Sequence, residues 1–581
     1  MQRFYIQLAQ VLHTYTQVDK ELLASLFEIP PDKSLGDVAL PCFRFAKEWR
    51  KAPQAIAQEI ASQVTDEPFI ERAVAHGSYV NFYLTRKLAL TEVLEDVVQD
   101  RGVFTSDRGA SQTVAVDLSS PNIAKPFSMG HLRSTVIGTA ISNLLASDGY
   151  KVLRINHLGD WGTQFGKIIV AYHAWGDPVL VQNNPITQLN ALYVKFHEEA
   201  IAHPELEDQA RATFKRLEDG NEEDLALWRW MIDVSLAEFA RMYELLGTTF
   251  THNLGESFYN DKMDVVVEEL AKKNLLVTSD GAEVVMLDDL GLPPCLIRRS
   301  DGATLYATRD LAAALYRHKE LSASHLYYVV GNEQKLHFQQ IFHVLSLLGY
   351  DFASSCYHIA FGMMRLDGRK MSTRKGQVVR LEDVVQEAIS RARAIIEEKN
   401  PTLHDVEHVA QAIGVGAVIF NDLKTNRLHD IDFSLTNAVA FDGETGPYVQ
   451  YTHARACSVL RKAKALQDDT SPHRMVTPWQ KEVLFEADDH HGDVDDPTWN
   501  LIKEISKTGA MRLRAIDEAD PSLIAKHVLD VCQAFNHFYH ECPILTAEAP
   551  LRALRLALTD ATRVVIRASL LLLGLQHPAE I

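Results

Sequence analysis

The stretch most suggestive of chemistry is a turn between a predicted strand and a predicted helix, where Gly130 and His131 are adjacent. The strand is predicted over 113–118, and the helix begins at Gly130 with apolar residues spaced for a helix of 3.6 residues per turn. A helix N-terminus offers unpaired N–H groups and a partial positive charge, and both favour a bound phosphate. Gly130 would let a nucleotide base approach the backbone, and His131 could donate to a phosphate oxygen. The pair therefore predicts a triphosphate site, and a plain capping turn is the alternative.

A second stretch, residues 367–376, concentrates positive charge in a short loop. Its sequence, Asp-Gly-Arg-Lys-Met-Ser-Thr-Arg-Lys-Gly, places four cations within seven residues. These charges repel one another unless an anion lies among them, and the flanking glycines favour a mobile lid over a polyphosphate. A solvated basic turn is the alternative for the loop alone. Together the two stretches favour polyphosphate binding more strongly than either does by itself.

Other signatures of catalysis are absent from the sequence. It has no Gly-x-x-x-x-Gly-Lys loop, no Gly-x-Gly-x-x-Gly after a strand, no His-Glu-x-x-His and no Gly-x-Ser-x-Gly. These absences argue against a kinase, a dinucleotide-dependent oxidoreductase, a zinc protease and a serine hydrolase. The chain has 77 acidic and 58 basic residues, a net charge of −19, so we do not expect it to coat DNA. Local basic stripes could still bind a structured RNA.

The cysteines and the hydropathy pattern indicate the compartment. Six dispersed cysteines without a Cys-x-x-Cys pair predict neither a structural zinc site nor a redox dithiol, and they fit a reducing cytosol. We find no signal peptide and no apolar stretch long enough to span a membrane. The sequence therefore predicts a cytoplasmic protein without a membrane partner.

The elements that must position the two charged stretches fall into three predicted domains. Residues 1–105 combine helical and alternating patterns, including a strand over 79–84, and predict a small α/β module. Residues 106–403 alternate strands and helices and predict a parallel sheet with crossover helices, interrupted at about 185–290 by a mainly helical insertion. Residues 404–581 predict a helical bundle, with one continuous helix over 499–516.

The order of these motifs resembles that of the class I aminoacyl-tRNA synthetases, and the text around them resembles the arginyl-tRNA synthetases. The matching segments are Ser-Ser-Pro-Asn-Ile-Ala-Lys-Pro at 119–126, Asn-His-Leu-Gly-Asp-Trp-Gly-Thr-Gln-Phe-Gly at 156–166, Tyr-Ala-Thr-Arg-Asp at 306–310, Glu-Gln-Lys-Leu-His-Phe at 333–338, Gly-Pro-Tyr-Val-Gln-Tyr-Thr-His-Ala-Arg at 446–455 and Phe-Asn-His-Phe-Tyr-His-Glu-Cys at 535–542. The resemblance implies an α/β fold: a Rossmann-type catalytic domain with a helical insertion, a small N-terminal α/β domain that contacts the tRNA elbow, and an all-α anticodon-binding bundle.

The resemblance also implies a reaction and its reactants. L-arginine would be ligated to its cognate tRNA through an arginyl-adenylate, with ATP and nucleotide-bound Mg²⁺ as reactants and a monomer as the acting form. The implied catalytic residues are His131, Lys125 and Lys370, and the implied ATP-binding residues are Ser128, Gly130, His131, Lys370, Met371 and Ser372. Two positions depart from the family pattern: Ser128 replaces the first histidine of His-x-Gly-His, and the second lysine of Lys-Met-Ser-Lys-Ser is absent. Lys125, Arg374 and Lys375 are the candidates for the missing charge.

Substrate selection is implied for further residues. Those implied to bind arginine are Asp117, Asn122, Tyr306, Asp310 and Gln334. Asp117 and Asp310 would pair with the guanidinium, because a planar fork of donors is best matched by carboxylates. A solvent-facing position for Asp117 and a helix N-cap for Asp310 are the structural alternatives. Those implied to bind tRNA are Tyr79, Asn81, Tyr448, Tyr451, Arg455 and Tyr539, and a core position is the alternative for Tyr79.

Two other functions remain open from the sequence. One is a class I synthetase for another amino acid, such as the cysteinyl type, which would need metal-binding cysteines near the pocket. The other is a non-catalytic tRNA-binding paralogue, which the change at Ser128 favours slightly. The intact Gly130-His131 pair and the Lys-Met-Ser triplet at 370–372 argue against the paralogue.

Overall fold

The structure is a computed structural model that describes residues 2–30, 32–64, 67–299, 306–366, 369–370, 379–468 and 494–581. Met371 and Ser372 therefore lie outside the described residues, and Lys370 is described by its backbone alone. The chain folds into two compact units. Unit 1 comprises Met1–Thr105, Thr452–Arg514 and Lys526–Ala568, and unit 2 comprises Ser106–Tyr451, Ala515–Ala525 and Ser569–Ile581.

The secondary structure of the described residues is as follows. The helices are α1 (Gln2–Thr16), α2 (Lys20–Leu26), α3 (Ala46–Trp49), α4 (Pro53–Gln63), α5 (Arg86–Gln99), α6 (Met129–Ser147), α7 (Thr163–Trp175), α8 (Pro178–Asn183), α9 (Pro185–Ala202), α10 (Glu205–Glu218), α11 (Glu222–Leu246), α12 (Met263–Lys272), α13 (Tyr306–Lys319), α14 (Lys335–Leu347), α15 (Leu381–Lys399), α16 (Val406–Leu423), α17 (Leu435–Ala438), α18 (Gly446–Asp468), α19 (Asp496–Ile505), α20 (Thr508–Asp517), α21 (Ser522–Glu541) and α22 (Ala549–Leu572). The strands are β1 (Val38–Pro41), β2 (Ile70–His76), β3 (Tyr79–Leu84), β4 (Thr113–Asp117), β5 (Lys151–Asn156), β6 (His252–Asn253), β7 (Leu276–Ser279), β8 (Ala282–Leu287), β9 (Leu292–Arg298), β10 (His325–Tyr328), β11 (Cys356–His358), β12 (Met364–Leu366), β13 (Arg369–Lys370) and β14 (Ile431–Phe433).

Unit 1 combines a small antiparallel sheet with helices from both ends of the chain. The sheet has the order β1-β3-β2, so the predicted α/β module and its strand over 79–84 are confirmed. Trp499 of α19 is fully buried and its indole N–H donates to the carboxylate of Asp37 at 2.7 Å. This bond ties a late helix to the N-terminal sheet within the unit.

The prediction of one continuous helix over 499–516 is wrong. α19 ends at Ile505 and α20 begins at Thr508, with a turn between them. Just after the turn, Gly509 of α20 lies so close to Gly102 that a Cβ on Gly509 would be 2.8 Å from the carbonyl oxygen of Gly102. Apolar residues recur on both sides of the turn, so the sequence pattern carries no sign of the break.

Unit 2 is built on a five-stranded parallel sheet with the order β11-β10-β4-β5-β6. This arrangement confirms the predicted parallel sheet with crossover helices. Helices α12, α13 and α14 cover one face, where Ala115, Ile155 and Leu326 join a large apolar core. The helical insertion ends at Leu246, after which β6 joins the central sheet and β7–β9 form a second sheet.

A third small sheet in unit 2 carries the start of the basic loop. It has the order β13-β12-β14, with β12 parallel to β14 and antiparallel to β13. No helix in the described parts of the chain is long and apolar enough to cross a membrane.

Candidate active site

The turn between β4 and α6 is strained and is braced by side chains from other elements. Ser119, Ser120 and Ala124 have φ values of 69°, 51° and 61°, a region that residues other than glycine rarely adopt. Ser134 Oγ accepts the Ser119 N–H at 2.9 Å, and Ser235 Oγ of α11 accepts the Ala124 N–H at 2.9 Å. Strain of this kind persists only where the surroundings fix it, and it is concentrated at functional sites. The helical insertion therefore helps to shape the turn that precedes α6.

His131 lies in the first turn of α6, where the residue before the helix fixes its ring. Nδ1 accepts the backbone N–H of Ser128 at 3.1 Å, and Ser128 Oγ lies 3.2 Å from the same nitrogen. Burial lowers the pKa of His131 to about 4, with a further contribution from the charge of Lys125. The ring is therefore neutral at pH 7, and because Nδ1 accepts, its proton is on Nε2. Nε2 can then donate a hydrogen bond, which is what binding to a phosphate oxygen requires.

Gly130 leaves the first turn of α6 uncovered. The residue is exposed, and a Cβ placed on it would meet only Ser128 Oγ, at 3.4 Å. Packing within the protein therefore does not require a glycine here. The absence of a side chain instead keeps open a surface next to His131.

Lys125 supplies a positive charge beside this surface. Its ammonium lies 4.9 Å from the ring centroid of Tyr193, and partial burial lowers its pKa. Among the residues that the structure describes, no carboxylate pairs with it. A cation without a counter-ion and a neutral donor on His131 together form a site suited to a phosphate.

Described residues on both sides of 371–378 pair with other elements. On the upstream side, the backbone of Lys370 in β13 pairs with Arg365 in β12. On the downstream side, Arg380 forms an antiparallel bridge with Ser128. The structure therefore places Arg380, four residues beyond the basic stretch, at the N-terminus of α6.

Asp117 lies at the carboxyl end of β4 and is already paired within the protein. Its Oδ2 accepts from Arg317 Nη2 at 2.8 Å, and its Oδ1 accepts from Ser120 Oγ at 2.8 Å. The alternative that Asp117 faces solvent is wrong, because its exposed fraction is 6%. Arg317 Nη2 also lies 3.5 Å from Nδ1 of His157, so Asp117 belongs to a buried polar cluster with these two side chains.

Asp310 belongs to the same polar cluster, because it lies close to His157. It lies inside α13, after the described start of that helix at Tyr306, so the alternative of an N-cap is wrong. Its Oδ2 is 2.6 Å from Nε2 of His337, and its Oδ1 is 3.9 Å from Nε2 of His157. Burial alone would raise the pKa of Asp310, but the hydrogen bond from His337 and the positive groups nearby lower it overall. Asp310 is thus an ionised carboxylate.

Glu256 is a further carboxylate of the cluster, which sequence reasoning missed. It follows β6, and its Oε2 lies 3.5 Å from Nη1 of Arg309. Burial raises the pKa of Glu256 to about 7, Arg309 opposes this shift, and the charges of Asp310 and Asp160 add to it. Asp160 is itself held, because Ser257 donates to it through N–H at 2.8 Å and through Oγ at 2.7 Å.

The other residues predicted to bind arginine are exposed to solvent. Asn122 is exposed and packs so closely on Gly159 that a Cβ there would be 2.1 Å from Asn122 Oδ1. Tyr306 is 63% exposed, with Arg309 6.0 Å from its ring centroid. Gln334 is exposed, in the 3-10 turn before α14.

One structural rule connects these residues and points to Glu256, which the sequence motifs do not indicate. In an open parallel sheet, ligands bind outside the carboxyl ends of the strands. Asp117 ends β4, His157 follows β5 and Glu256 follows β6. β6 has only two residues, which is too short to give a strand pattern in the sequence, so the sequence does not indicate Glu256. Arg309 and His337 lay within the matching segments, but the sequence assigned them no role.

The residues predicted to bind tRNA lie in both units. In unit 1, Tyr79 is half-buried with the ring of Phe43 at 5.9 Å, whereas Asn81 is buried, with an exposed fraction of 4%. Also in unit 1, Arg455 hydrogen-bonds Asn536, and its guanidinium lies 5.3 Å from the ring centroid of Tyr539.

Two more of these residues belong to unit 2. Tyr448 is half-buried in the first turn of α18. The ring of Tyr451 lies 6.3 Å from that of Phe441, and the ammonium of Lys399 is 5.9 Å from its centroid.

Comparisons with known proteins agree with this geometry. The family "tRNA synthetases class I (R), catalytic domain" matches residues 92–435, "DALR anticodon binding domain" matches 449–581, and "Arginyl tRNA synthetase N terminal domain" matches 4–84. The chain is therefore a class I aminoacyl-tRNA synthetase in its fold and in the strand-end position of its polar cluster.

The relatives identify the family more narrowly. The chain is 48% identical to an arginine–tRNA ligase of Exiguobacterium sp. over 99% of this chain and 98% of that protein. It is 44% identical to an arginine–tRNA ligase of Alkaliphilus metalliredigens over the whole of both chains. The structure of Thermus thermophilus arginyl-tRNA synthetase matches with a TM-score of 0.78 at 28% identity, covering 96% of each chain. The chain belongs to the arginyl-tRNA synthetase family.

Proposed function

We propose that the protein ligates L-arginine to its cognate tRNA in two steps, through an arginyl-adenylate, at the polar cluster of unit 2. The observation that carries the proposal is that two different subsites lie at the carboxyl ends of strands of one parallel sheet. A phosphate site is formed by His131 and Lys125 at the start of α6, and a carboxylate pocket is formed by Asp310 and Glu256. ATP and a cationic amino acid would thus meet at one edge of the sheet.

In the first step, the carboxylate of arginine attacks the α-phosphorus of ATP and pyrophosphate leaves. No protein nucleophile is needed, so the enzyme acts by positioning and by stabilising charge on the phosphoryl oxygens. His131 donates from Nε2, Lys125 and Lys370 supply positive charge, and Ser128 holds the His131 ring. Gly130 accommodates the nucleotide, and we propose from the family resemblance that Met371 and Ser372 bind ATP as well.

Mg²⁺ would arrive with the nucleotide, held mainly by phosphate oxygens and water, as this ion commonly is. It would neutralise part of the triphosphate charge. Among the described residues, no group of three or more His, Cys, Asp or Glu side chains is arranged to hold a metal ion.

In the arginine pocket, Asp310 and Glu256 pair with the guanidinium. Both oxygens of Asp117 are engaged by Arg317 and Ser120, so this carboxylate acts from within the buried polar cluster. Tyr306 lies along the side chain of the substrate, and Asn122 and Gln334 hold its α-amino and carboxylate groups. In the second step, the terminal ribose of the tRNA accepts the arginyl group.

The charge of the pocket supports this assignment. The cluster has four carboxylates, Asp117, Asp160, Glu256 and Asp310, and two guanidinium groups, Arg309 and Arg317. With Glu256 ionised and the histidines left out of the count, these negative groups exceed the positive ones by two. Free arginine carries a guanidinium, an α-ammonium and one carboxylate, so its net charge is +1 and is opposite in sign to the charge of the pocket.

The tRNA is contacted by surfaces in both units. In unit 1, Tyr79 stacks on a base of the elbow, and Asn81 supports the strand from its buried position. Tyr448, Tyr451, Arg455 and Tyr539 contribute to anticodon binding. We also propose that the protein acts as a cytoplasmic monomer; sedimentation should return a mass near 65.2 kDa.

The test is the substitution Asp310→Asn, which keeps the shape and removes the charge. Loss of one charge-assisted bond to a desolvated guanidinium should cost about 2–5 kcal/mol of arginine affinity. We expect the KM for arginine in ATP–pyrophosphate exchange, measured with saturating tRNA, to rise steeply while the KM for ATP changes little. The exposed Asp351→Asn serves as the matched control. An arginine KM within twofold of wild type, with unchanged discrimination against canavanine and lysine, would remove Asp310 from the pocket.

A further inference from the structure

Arg133 is a buried arginine on the same helix as His131, and its contacts extend to the segment that leads into β12. It lies two residues after His131 in α6, and its exposed fraction is 1%. Nε donates to Asp422 Oδ2 at 3.1 Å, which balances the charge. Burial raises the pKa of Asp422 to about 6, and Arg133 opposes that shift, so the pair is ionised at pH 7.

The terminal N–H groups of the guanidinium donate to backbone carbonyls. Nη1 donates to the oxygens of Gly362 at 2.7 Å and of His429 at 2.9 Å, and Nη2 donates to the oxygen of Arg427 at 3.3 Å. Four of its five N–H groups thus have partners, in a planar fork that a lysine ammonium cannot reproduce.

The carbonyl of Gly362 belongs to the segment that enters β12. The Gly362 N–H donates to the Arg427 oxygen at 2.9 Å, and a Cβ on Gly362 would be 2.6 Å from the carbonyl of His429. Met363 N–H then donates to Asp430 Oδ1 at 2.8 Å before the strand begins. This junction is therefore tightly packed and leaves no room for a side chain.

β12 is the neighbour of the strand that contains Lys370 of the basic stretch. β12 pairs with β14 on one side and with β13, which contains Lys370, on the other. The position of Lys370 relative to α6 consequently depends on how the Gly362 junction is fixed. Arg133 is the side chain of α6 that fixes it.

We propose that Arg133 is a positioning residue for adenylate formation, which sets the backbone of β13, the strand that contains Lys370, in register with α6, the helix that contains His131. This inference rests on the roles proposed above for His131 and Lys370. It predicts a loss of rate in the chemical step with little change in the pocket for arginine, since a displacement of about 1 Å in a catalytic group can lower a rate about 100-fold.

The variant that tests this is Arg133→Lys, which keeps the charge next to Asp422 and loses the fork. In ATP–pyrophosphate exchange with saturating tRNA, we expect kcat to fall about 100-fold while the KM for arginine stays within threefold. Arg512→Lys is the matched control, because Arg512 is equally buried in unit 1 and donates to a backbone carbonyl, that of Gly102. It should lower the melting temperature without lowering kcat.

A double-mutant cycle with Lys370→Ala separates positioning from general loss of structure. If Arg133 acts through Lys370, the double variant should be about as slow as Lys370→Ala alone. If the fold-decrease in kcat of the double variant equals the product of the two single fold-decreases, the inference is overturned. A kcat for Arg133→Lys within threefold of wild type would also overturn it. A normal rate for Lys370→Ala would refute the proposed role of Lys370, and the inference would fail with it. Should Arg133→Lys not fold, Gly362→Ala disturbs the same junction and must show the same kinetics.

Discussion

Gly130 is the residue at which binding of the nucleotide can be separated from folding. A Cβ there would meet only Ser128 Oγ at 3.4 Å, and alanine is a better helix former by about 0.5–1 kcal/mol. We therefore expect Gly130→Ala to keep or raise the melting temperature and to raise the KM for ATP at least about tenfold, or about 1.4 kcal/mol. Gly138 in the same helix is the contrast, because its Cβ would be 2.4 Å from that of Leu118. Gly138→Ala should lose stability, and an unchanged ATP KM in Gly130→Ala would show that no base approaches this turn.

Glu256 gives the pocket a pH dependence near neutrality. Burial raises its pKa to about 7, so the side chain is protonated below that pH and ionised above it. A guanidinium is bound by the ionised form, and the KM for arginine should therefore rise as the pH falls below 7, by about tenfold per pH unit at the limit. Glu256→Gln should have a raised KM with a flatter pH profile between pH 6 and 8. An identical slope in the variant would assign the titration to another group.

At the scale of elements, α11 braces the turn that leads to Lys125. Ser235 is fully buried and its Oγ accepts the N–H of Ala124, a residue with φ of 61°. Ser235→Ala would leave that N–H unpaired, at a cost of about 1–3 kcal/mol of stability. We expect a lower melting temperature and a slower exchange rate, because Lys125 is the next residue. Ser390→Ala, at an exposed site on α15, is the control. A variant that loses stability at full kcat would show that the brace does not position Lys125.

The elements themselves were largely predictable, because each depends on residues close together in the chain. The periodicity around Leu132 and Val136 predicted α6, and the alternating pattern predicted β3. Contacts between distant residues could not be predicted. The pairing of Asp117 with Arg317 joins residues 200 positions apart, and nothing in the local pattern of either one indicates the other.

At the scale of the whole molecule, the N-terminal residues do not form an independent body. Met1–Thr105 share unit 1 with Thr452–Arg514 and Lys526–Ala568, and the buried indole of Trp499 donates to Asp37. Deleting residues 1–105 would expose this core and leave the indole N–H unpaired. A truncated protein would thus lose tRNA charging through unfolding, whatever the N-terminal residues contact. The contribution of unit 1 to tRNA binding has to be tested with single substitutions at its surface.

Tyr79 offers that test, since it is half-buried at the start of β3 with Phe43 against its ring. Stacking of a base on an aromatic side chain is worth about 1–3 kcal/mol, so Tyr79→Ala should raise the KM for tRNA by about 5-fold to 150-fold. The KM values for ATP and arginine should stay within twofold, because both pockets are in unit 2. Tyr83→Ala is the matched control: it lies on the same strand, donates to the Ser34 carbonyl at 2.8 Å and packs under Arg72. It should lower stability without this selective effect. If both variants raise the tRNA KM equally, the loss comes from disturbance of the sheet and Tyr79 does not stack on the tRNA.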